Sequence, residues 1–133
     1  MTTYIDKLVW IHIRDEKVLY ARSHNKSVFY NTGGKREEGE TDEDALIREI
    51  KEELNVDLIA GTIAHLVTLQ GQAHGQPEGV EVRLKCFTAD FLGLPTPSGE
   101  IDEIRYLTSA DEALTTPTGV LVLDWLHQNR HIT

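Results

Sequence analysis

The stretch from residue 41 to residue 56 constrains the fold more than any other part of the chain. It predicts a helix over residues 42–54, because Thr41 is a favourable N-cap and three acidic residues follow it, where the helix dipole favours negative charge. Asn55 suits the left-handed position that closes a helix. At roughly 100° per residue, one face of this helix forms an apolar stripe that predicts packing against a core. The stripe consists of Leu46, Ile47, Ile50 and Leu54.

Three carboxylates, Glu49, Glu52 and Glu53, lie beside the apolar stripe. Glu49 and Glu53 are like charges at i,i+4, an arrangement that costs an isolated helix about 0.2–0.5 kcal/mol. The ordinary interpretation is a solvated acidic face in which Arg48 pairs with Glu52. The functional interpretation is a site for Mg²⁺ or Mn²⁺, which prefer several oxygen ligands and keep water molecules that a phosphate can replace.

The order of the other predicted elements indicates an α/β sandwich with a mixed sheet. Residues 3–13 and 17–22 predict two strands of a hairpin, with a turn at Asp15 and Glu16. A second helix is predicted to begin near Pro117, since proline is favoured at the first helical position. Further strands are predicted at 28–30, 61–70, 80–91 and 104–107. The polar loop 71–79, which contains His74, is a candidate to overlie a ligand site.

Charge and composition exclude several classes of partner. The chain of 133 residues, which fits one domain over 1–133, has a formal net charge of −9. This charge argues against a nucleic-acid polymer and against an anionic membrane surface. The chain has one cysteine, Cys86, which suits a reducing compartment. Because no signal-peptide pattern or membrane-spanning apolar run is present either, we expect a cytoplasmic protein.

A wider motif around the helix carries the more specific indication. Residues 34–56 read GKREEGETDEDALIREIKEELNV. This resembles the signature of the Nudix hydrolases, which is Gly, five residues, Glu, seven residues, then Arg-Glu-aliphatic-x-Glu-Glu-x-Gly-aliphatic. Asn55 stands where the family has glycine, and it tolerates the same left-handed backbone. Thr32 stands where relatives often carry proline, which alters the stiffness of the loop.

The resemblance implies an α/β/α sandwich of the Nudix type, with a mixed sheet that contains mostly antiparallel pairs between helices. It also implies a metal-dependent hydrolase that cleaves the diphosphate linkage of a nucleoside diphosphate joined to a moiety X, with Mg²⁺ or Mn²⁺ as cofactor. The implied catalytic residues are Glu49, Glu52 and Glu53. The implied metal-binding residues are the same three glutamates, Gly34 through its backbone, and Glu40. Arg48 would orient a neighbouring carboxylate, a structural role within the motif.

Several functional assignments stay open at this stage. Glu49 is the expected general base, with Glu100 and Glu103 as alternatives. Lys35 and Arg36 are candidates to bind the substrate phosphates. Nucleoside triphosphates are slightly favoured as substrates, whereas nucleotide sugars, ADP-ribose and dinucleoside polyphosphates are also possible. The protein is expected to be a monomer or a homodimer.

Two other functional classes are alternatives to the hydrolase. One is a catalytically inactive Nudix-like module that senses or binds nucleotides. The other is a metal-dependent isomerase of isoprenoid diphosphates, for which Cys86 is an unpersuasive nucleophile because it lies in a strand of alternating pattern. His12, Trp10, Phe29 and Tyr30 are expected to pack in the core, although His12 could also line a ligand pocket and the three aromatic side chains could stack a base.

Overall fold

The computed structural model describes residues 3–72 and 75–133, so the position predicted for His74 lies outside the described residues. The strands are β1 Thr3–Trp10, β2 Ile13–Arg14, β3 Lys17–Ser23, β4 Tyr30–Asn31, β5 Gly33–Gly34, β6 Asp57–Leu58, β7 Ala64–Gln72, β8 Val80–Thr88, β9 Phe91–Leu92 and β10 Ile101–Leu107. The helices are α1 Asp42–Leu54 and α2 Pro117–Gln128, with short 3₁₀ helices at Ala60–Thr62 and Ser109–Leu114.

The strands form two larger sheets and one small ribbon. One sheet has the order β5-β1-β8-β7, and the other has the order β10-β3-β2 with β4 beside β3. The ribbon is β6-β9. β1 and β8 run parallel, whereas the other strand pairs are antiparallel. The predicted mixed, largely antiparallel sheet is confirmed.

The two long helices cover opposite faces of the strands. Along β1 the side chains alternate, so that Leu8 and Trp10 pack in the core beneath α1, whereas Val9 packs in the core beneath α2, where Ile11 follows it. β3 is shared in the same way, with Leu19 on the α1 side. The predicted α/β/α sandwich is therefore confirmed, and β1 lies in its middle layer.

Helix α1 begins and ends where the sequence predicts. The Thr41 hydroxyl accepts a hydrogen bond from the Asp44 backbone N–H at 3.1 Å. Asn55 adopts the left-handed conformation, with φ of 56°, and its N–H donates to the Lys51 carbonyl. Leu46, Ile50 and Leu54 are fully buried, as the apolar stripe predicts, while Ile47 is only partly buried. The helix is thus fixed at both ends, which holds the glutamates of its last turns in a defined position.

The predicted first strand is wrong in its extent. The turn at Asp15 and Glu16 is present, both residues having positive φ as in a two-residue hairpin. However, only β2 forms that hairpin with β3. The chain changes partner between Ile11, whose N–H donates to the Phe87 carbonyl, and His12, whose carbonyl accepts from Leu19. β1 therefore belongs to the other sheet.

Four further strand boundaries differ from the prediction. Residues 60–62 form a 3₁₀ helix, so the strand predicted at 61–70 begins at Ala64 and extends to Gln72. The strand predicted at 80–91 divides into β8 and β9, and the one at 104–107 is the end of the longer β10. The strand predicted at 28–30 lies at Tyr30–Asn31. Helix α2 begins at Pro117, as predicted. In the described part of the chain, no helix is long and apolar enough to span a membrane.

Candidate active site

The paired glycines hold the motif loop directly against α1. Gly33 and Gly34 form β5 and pair with Val9 and Leu8 of β1. Gly33 has φ of 130°, and a Cβ there would collide with the Leu8 carbonyl oxygen. A Cβ on Gly34 would overlap the carboxylate of Glu49. The loop backbone and the Glu49 carboxylate therefore approach so closely that no larger residue fits at position 34 without displacing Glu49.

Arg48 joins the loop to the helix through a network of charge-assisted hydrogen bonds. Its Nε donates to Glu40 Oε2 at 2.8 Å and its Nη2 to Glu40 Oε1 at 2.9 Å, a bidentate pair. Its Nη1 donates to Glu49 Oε1 at 2.8 Å, and its Nη2 also reaches the Lys35 carbonyl at 3.1 Å. Hydrogen bonds from Arg48, supplemented by the Glu37 N–H, lower the pKa of Glu40 to about 2. The contact with Glu52 is longer, at 3.6 Å.

Glu53 points inward, and its environment differs from that of the other glutamates. The Gly33 N–H donates to Glu53 Oε1 at 3.1 Å. Burial raises the pKa of Glu53 to about 8, the bond from Gly33 opposes this rise, and the carboxylates of Glu49 and Glu52 add to it. The Glu52 side chain, in contrast, is 60% exposed. Within one and a half turns of helix, Glu53 is thus partly buried, Glu49 is held by Arg48, and Glu52 faces solvent.

These glutamates share one cleft, which we call the acidic cleft. It has a volume of about 460 Å³ and is lined by Ser23, Glu49, Glu52, Glu53, Gly99, Glu100 and Ile101. Of the two alternative general bases, Glu100 lies in this cleft. Glu103 instead binds Arg22 at 3.2 Å and Arg105 at 2.9 Å, outside the lining. The fold therefore brings Glu100 to the motif glutamates and holds Glu103 in an ion-pair network.

The acidic cleft offers a donor set that fits a hard divalent cation. Four carboxylates line it, and the backbone at Gly34 lies against one of them. Among the described residues no three Asp, Glu, His or Cys side chains converge as a ready-made ligand set. Binding a cation therefore requires side-chain rotation, for which the exposed Glu52 has room.

Two further cavities are linked to the acidic cleft, one directly and one indirectly, through shared lining residues. The central pocket, of about 170 Å³, shares Glu53, Ser23 and Ile101 with it. The lysine cleft, of about 760 Å³, shares Lys7, Tyr30 and Thr118 with the central pocket. The residues that define the lysine cleft here are Lys7, Lys26, Tyr30, Lys35 and Thr118. The central pocket thus shares lining residues with both clefts, and we call the three cavities together the groove.

The sequence-based interpretation missed Lys7 as a groove residue and misplaced Tyr30. Lys7 shares a strand face with Val9, so a lysine on an otherwise apolar face was the available signal. Tyr30, expected in the core, is half-buried and lines both the central pocket and the lysine cleft. Trp10 and Phe29 are buried, as predicted.

The two predicted phosphate-binding residues occupy different places. Lys35 lines the lysine cleft. Arg36 pairs with Asp42 at 3.3 Å, at the start of α1, and does not line any of the three cavities in the part of the chain that the structure describes.

His12 and Cys86 lie away from the acidic cleft, and His12 lines a separate cavity of about 620 Å³. His12 stacks on Trp10 with ring centroids 4.9 Å apart, and its Nε2 lies 3.1 Å from the Tyr106 hydroxyl. Cys86 is buried, and burial raises the pKa of its thiol to about 12. A thiol with this pKa is a poor nucleophile, which weakens the isomerase alternative.

Comparisons with known proteins agree with this geometry. The family model described as the NUDIX domain matches residues 7–126. No curated protein matches the chain. Among solved structures, the chain is similar to the E. coli ORF135 protein, with 23% identity, a TM-score of 0.75, and coverage of 97% of this chain and 92% of that chain.

Two other solved structures show the same fold. A MutT NUDIX hydrolase from Burkholderia pseudomallei is 20% identical, with a TM-score of 0.73 and coverage of 92% of this chain and 97% of that chain. An ADP-ribose pyrophosphatase from Streptococcus suis is 13% identical, with a TM-score of 0.64 and coverage of 96% and 95%. At these identities the likeness establishes the fold.

Proposed function

This chain belongs to the NUDIX domain family, and on that premise we propose that it is a metal-dependent hydrolase of nucleoside diphosphates linked to a second moiety X. The observation that carries the proposal is the acidic cleft, where Glu49, Glu52, Glu53 and Glu100 face one cavity beside the glycine loop. Such a concentration of carboxylates destabilises the protein by mutual repulsion, and a cation with a diphosphate ligand compensates for it. We assign this chemistry to a single domain over residues 1–133.

Glu49, Glu52 and Glu53 would hold the cation, with Glu40 and the Gly34 backbone as further contributors. Mg²⁺ or Mn²⁺, when bound, neutralises charge on the phosphate oxygens and lowers the pKa of water. Arg48 is a positioning residue in this scheme, since its bonds to Glu40 and Glu49 fix the carboxylates relative to the loop. Arg48 thereby orients Glu40 and Glu49 before substrate binds, whereas Glu52 has to rotate to join them, and such prior orientation is where much of the catalytic advantage of these sites arises.

Glu49 is the proposed general base. Its carboxylate is 19% exposed, is held by Arg48 at 2.8 Å and lies against Gly34, so its direction is determined from two sides. A base with a defined direction can accept a proton from an attacking water molecule at the scissile phosphorus. Glu100 is the alternative base, because it lines the same cleft from the turn that precedes β10.

The substrate occupies the groove, with its diphosphate at the acidic cleft and the remainder in the central pocket and beyond. Lys35 and Arg36 are proposed to contact phosphate, which for Arg36 requires release from Asp42. Nucleoside triphosphates are the slightly favoured class, and ADP-ribose is a second class, as the name of the structurally similar protein from Streptococcus suis suggests. The buried single cysteine suits a cytoplasmic enzyme, monomeric or homodimeric.

The test is the release of phosphate, pyrophosphate or nucleoside monophosphate from nucleoside triphosphates, nucleotide sugars, ADP-ribose and dinucleoside polyphosphates, with and without Mg²⁺ or Mn²⁺. We expect metal-dependent cleavage of at least one class, and a loss of about 10³-fold in kcat for Glu53→Gln. Glu43→Gln, at an exposed glutamate in the first turn of the same helix, is the matched control and should retain full activity. Nucleotide binding without cleavage of any class would replace the hydrolase with the sensing module.

The same assay separates the two candidate bases. Glu49→Gln should reduce kcat by about 10²–10⁴-fold, the usual contribution of a general base, whereas Glu100→Gln should reduce it far less. Near-normal turnover by Glu49→Gln together with a large loss in Glu100→Gln would transfer the role to Glu100.

A further inference from the structure

The lysine cleft concentrates positive charge in a protein whose formal net charge is −9. Lys7, Lys26 and Lys35 line it from three separate segments, namely β1, the connection between β3 and β4, and the loop after β5. No aspartate or glutamate lines the same cavity in the described part of the chain. Three lysines from separate parts of the fold therefore line one cavity, and no acidic residue of the described chain lines it.

Unlike Lys51 and Lys85, none of these three lysines forms an ion pair with a described carboxylate. Lys51 pairs with Asp57 at 3.2 Å and Lys85 with Asp42 at 3.5 Å. Within residues 3–72 and 75–133, no carboxylate oxygen lies within 4.0 Å of the ammonium groups of Lys7, Lys26 or Lys35. Lys7 is also half-buried, on the strand face that otherwise enters the core. Partial burial of an unpaired charge is unfavourable unless an anion compensates for it.

The segments that present these lysines are anchored by hydrogen bonds. Lys26 is held through its backbone, its N–H donating to the Ser23 carbonyl at 3.1 Å and its carbonyl accepting from Arg22 at 3.2 Å. The carbonyl of Lys35 accepts from Arg48, which also holds the motif glutamates. Arg48 therefore links the loop that carries Lys35 to the glutamates of the acidic cleft by hydrogen bonds, and the central pocket shares lining residues with both clefts.

We propose that the lysine cleft binds a phosphate group of the substrate that is remote from the diphosphate at the acidic cleft. This inference rests on the proposed function and narrows it. The preferred substrates are nucleoside diphosphate derivatives that carry a further phosphate, and the central pocket, lined by Tyr30 and Thr118, holds the part of the substrate between the two anionic ends.

Two kinds of substrate supply such a phosphate. One is a longer polyphosphate chain, as in a dinucleoside polyphosphate. The other is a phosphate monoester on the ribose or on the moiety X. Both present the same chemistry to the lysines, a phosphate oxygen that accepts hydrogen bonds from ammonium groups. The two kinds differ in how far that phosphate lies from the scissile bond, so matched substrates distinguish them.

The experiment compares kcat/KM for matched pairs of substrates. One pair is ADP-ribose and 2′-phospho-ADP-ribose, and the other is ATP and diadenosine tetraphosphate. We expect the phosphate-rich member of at least one pair to be preferred by 10-fold or more. Lys26→Gln and Lys7→Met, the latter keeping an unbranched apolar stem, should reduce this preference at least 5-fold, mainly through KM. Lys17→Gln, an exposed lysine of β3 outside the groove, is the control and should not change it.

A second measurement does not depend on turnover. Inorganic tripolyphosphate is titrated calorimetrically into the full chain in the presence of EDTA, and binding should weaken at least 10-fold in the Lys26→Gln/Lys35→Gln double variant but not in Lys17→Gln. Hydrolysis with equal preference within both pairs and unchanged tripolyphosphate binding would overturn the inference while leaving the proposed function standing. Tripolyphosphate binding lost in the double variant, in a protein that cleaves no substrate, would overturn the hydrolase and retain the phosphate site.

Discussion

Helices α1 and α2 have the same type of N-cap but differ in the side chains that they place beyond the first turn. Each has a threonine N-cap whose hydroxyl accepts a hydrogen bond from a backbone N–H three residues on, at 3.1 Å in both cases. Beyond that first turn, α2 buries Val122, Leu123 and Leu126 and takes part in one apolar core. α1 buries a similar stripe but places three glutamates beside it, one of which, Glu53, is partly buried.

The difference between the two helices shows that unfavourable interactions are concentrated in α1. In α2, helix propensity, capping and packing agree, which is typical of an element that stabilises a fold. In α1 the like charges of Glu49 and Glu53 oppose folding, and Arg48 offsets only part of this through Glu49. We infer that α2 mainly stabilises the molecule and that the motif side of α1 is adapted to a charged ligand.

Leu123→Ala in α2 gives the largest expected change in stability. Leu123 is fully buried, so its truncation leaves a cavity and should lower the free energy of unfolding by about 2–5 kcal/mol. The activity of the fraction that remains folded should be unchanged, as measured by denaturant titration and by kcat below the transition. Leu94→Ala, at a side chain that is 71% exposed, is the control. A large loss of kcat in folded Leu123→Ala would erase the distinction between the two helices.

Gly34→Ala is expected to give the opposite outcome, a loss of activity with the fold retained. Its new Cβ overlaps the Glu49 carboxylate, the end of a flexible side chain that can move aside. A displacement of about 1 Å in a catalytic group costs about 10²-fold in rate, so kcat should fall by that order while the thermal midpoint changes little. Gly61→Ala serves for comparison, since a Cβ there meets no atom within 4 Å. Unchanged kcat in Gly34→Ala would mean that the Glu49 position is not critical.

Substitution of the two N-cap threonines, Thr41 and Thr116, gives the smallest expected difference between the helices, measured as the free energy of unfolding. Thr41→Ala should lower the free energy of unfolding by about 1 kcal/mol, because one backbone donor loses its partner. Thr116→Ala should cost about 2 kcal/mol, since Thr116 is only 3% exposed and its hydroxyl also lies 3.2 Å from that of Thr118. Denaturant midpoints of the two variants provide the comparison, and a larger loss in Thr41→Ala would contradict it.

The sequence predicts the parts of this protein whose information is local. The sequence predicted three features of α1, because capping and helical periodicity act within a few residues. These are the N-cap at Thr41, the end of the helix at Asn55 and the apolar stripe. The sequence did not predict that the chain changes its neighbouring strand between Ile11 and His12. Alternation continues through Ile13, and a period of two identifies a strand without identifying its neighbour.

The remainder of the candidate site depends on long-range placement. Lys7, Tyr30 and Lys26 meet in one cleft only because β1, β4 and the preceding loop are brought together by the fold. Glu100 and Glu103 could not be separated either, because a bulge between Ile101 and Glu103 interrupts the alternation of β10. Only the structure shows which of the two reaches the acidic cleft.

The parallel pairing of β1 with β8 has a consequence for how the protein is made. β1 emerges from the ribosome before the other strands described here, whereas its long neighbour β8 begins at Val80, and β10, the antiparallel partner of β3, begins at Ile101. Contacts of such long range close late and slow the folding of a domain. The motif helix is synthesised well before the strands that complete its surroundings, so the nascent chain carries the glutamates before it has a groove. We therefore expect the proposed metal and nucleotide binding to appear only after β8 and β10 have been synthesised.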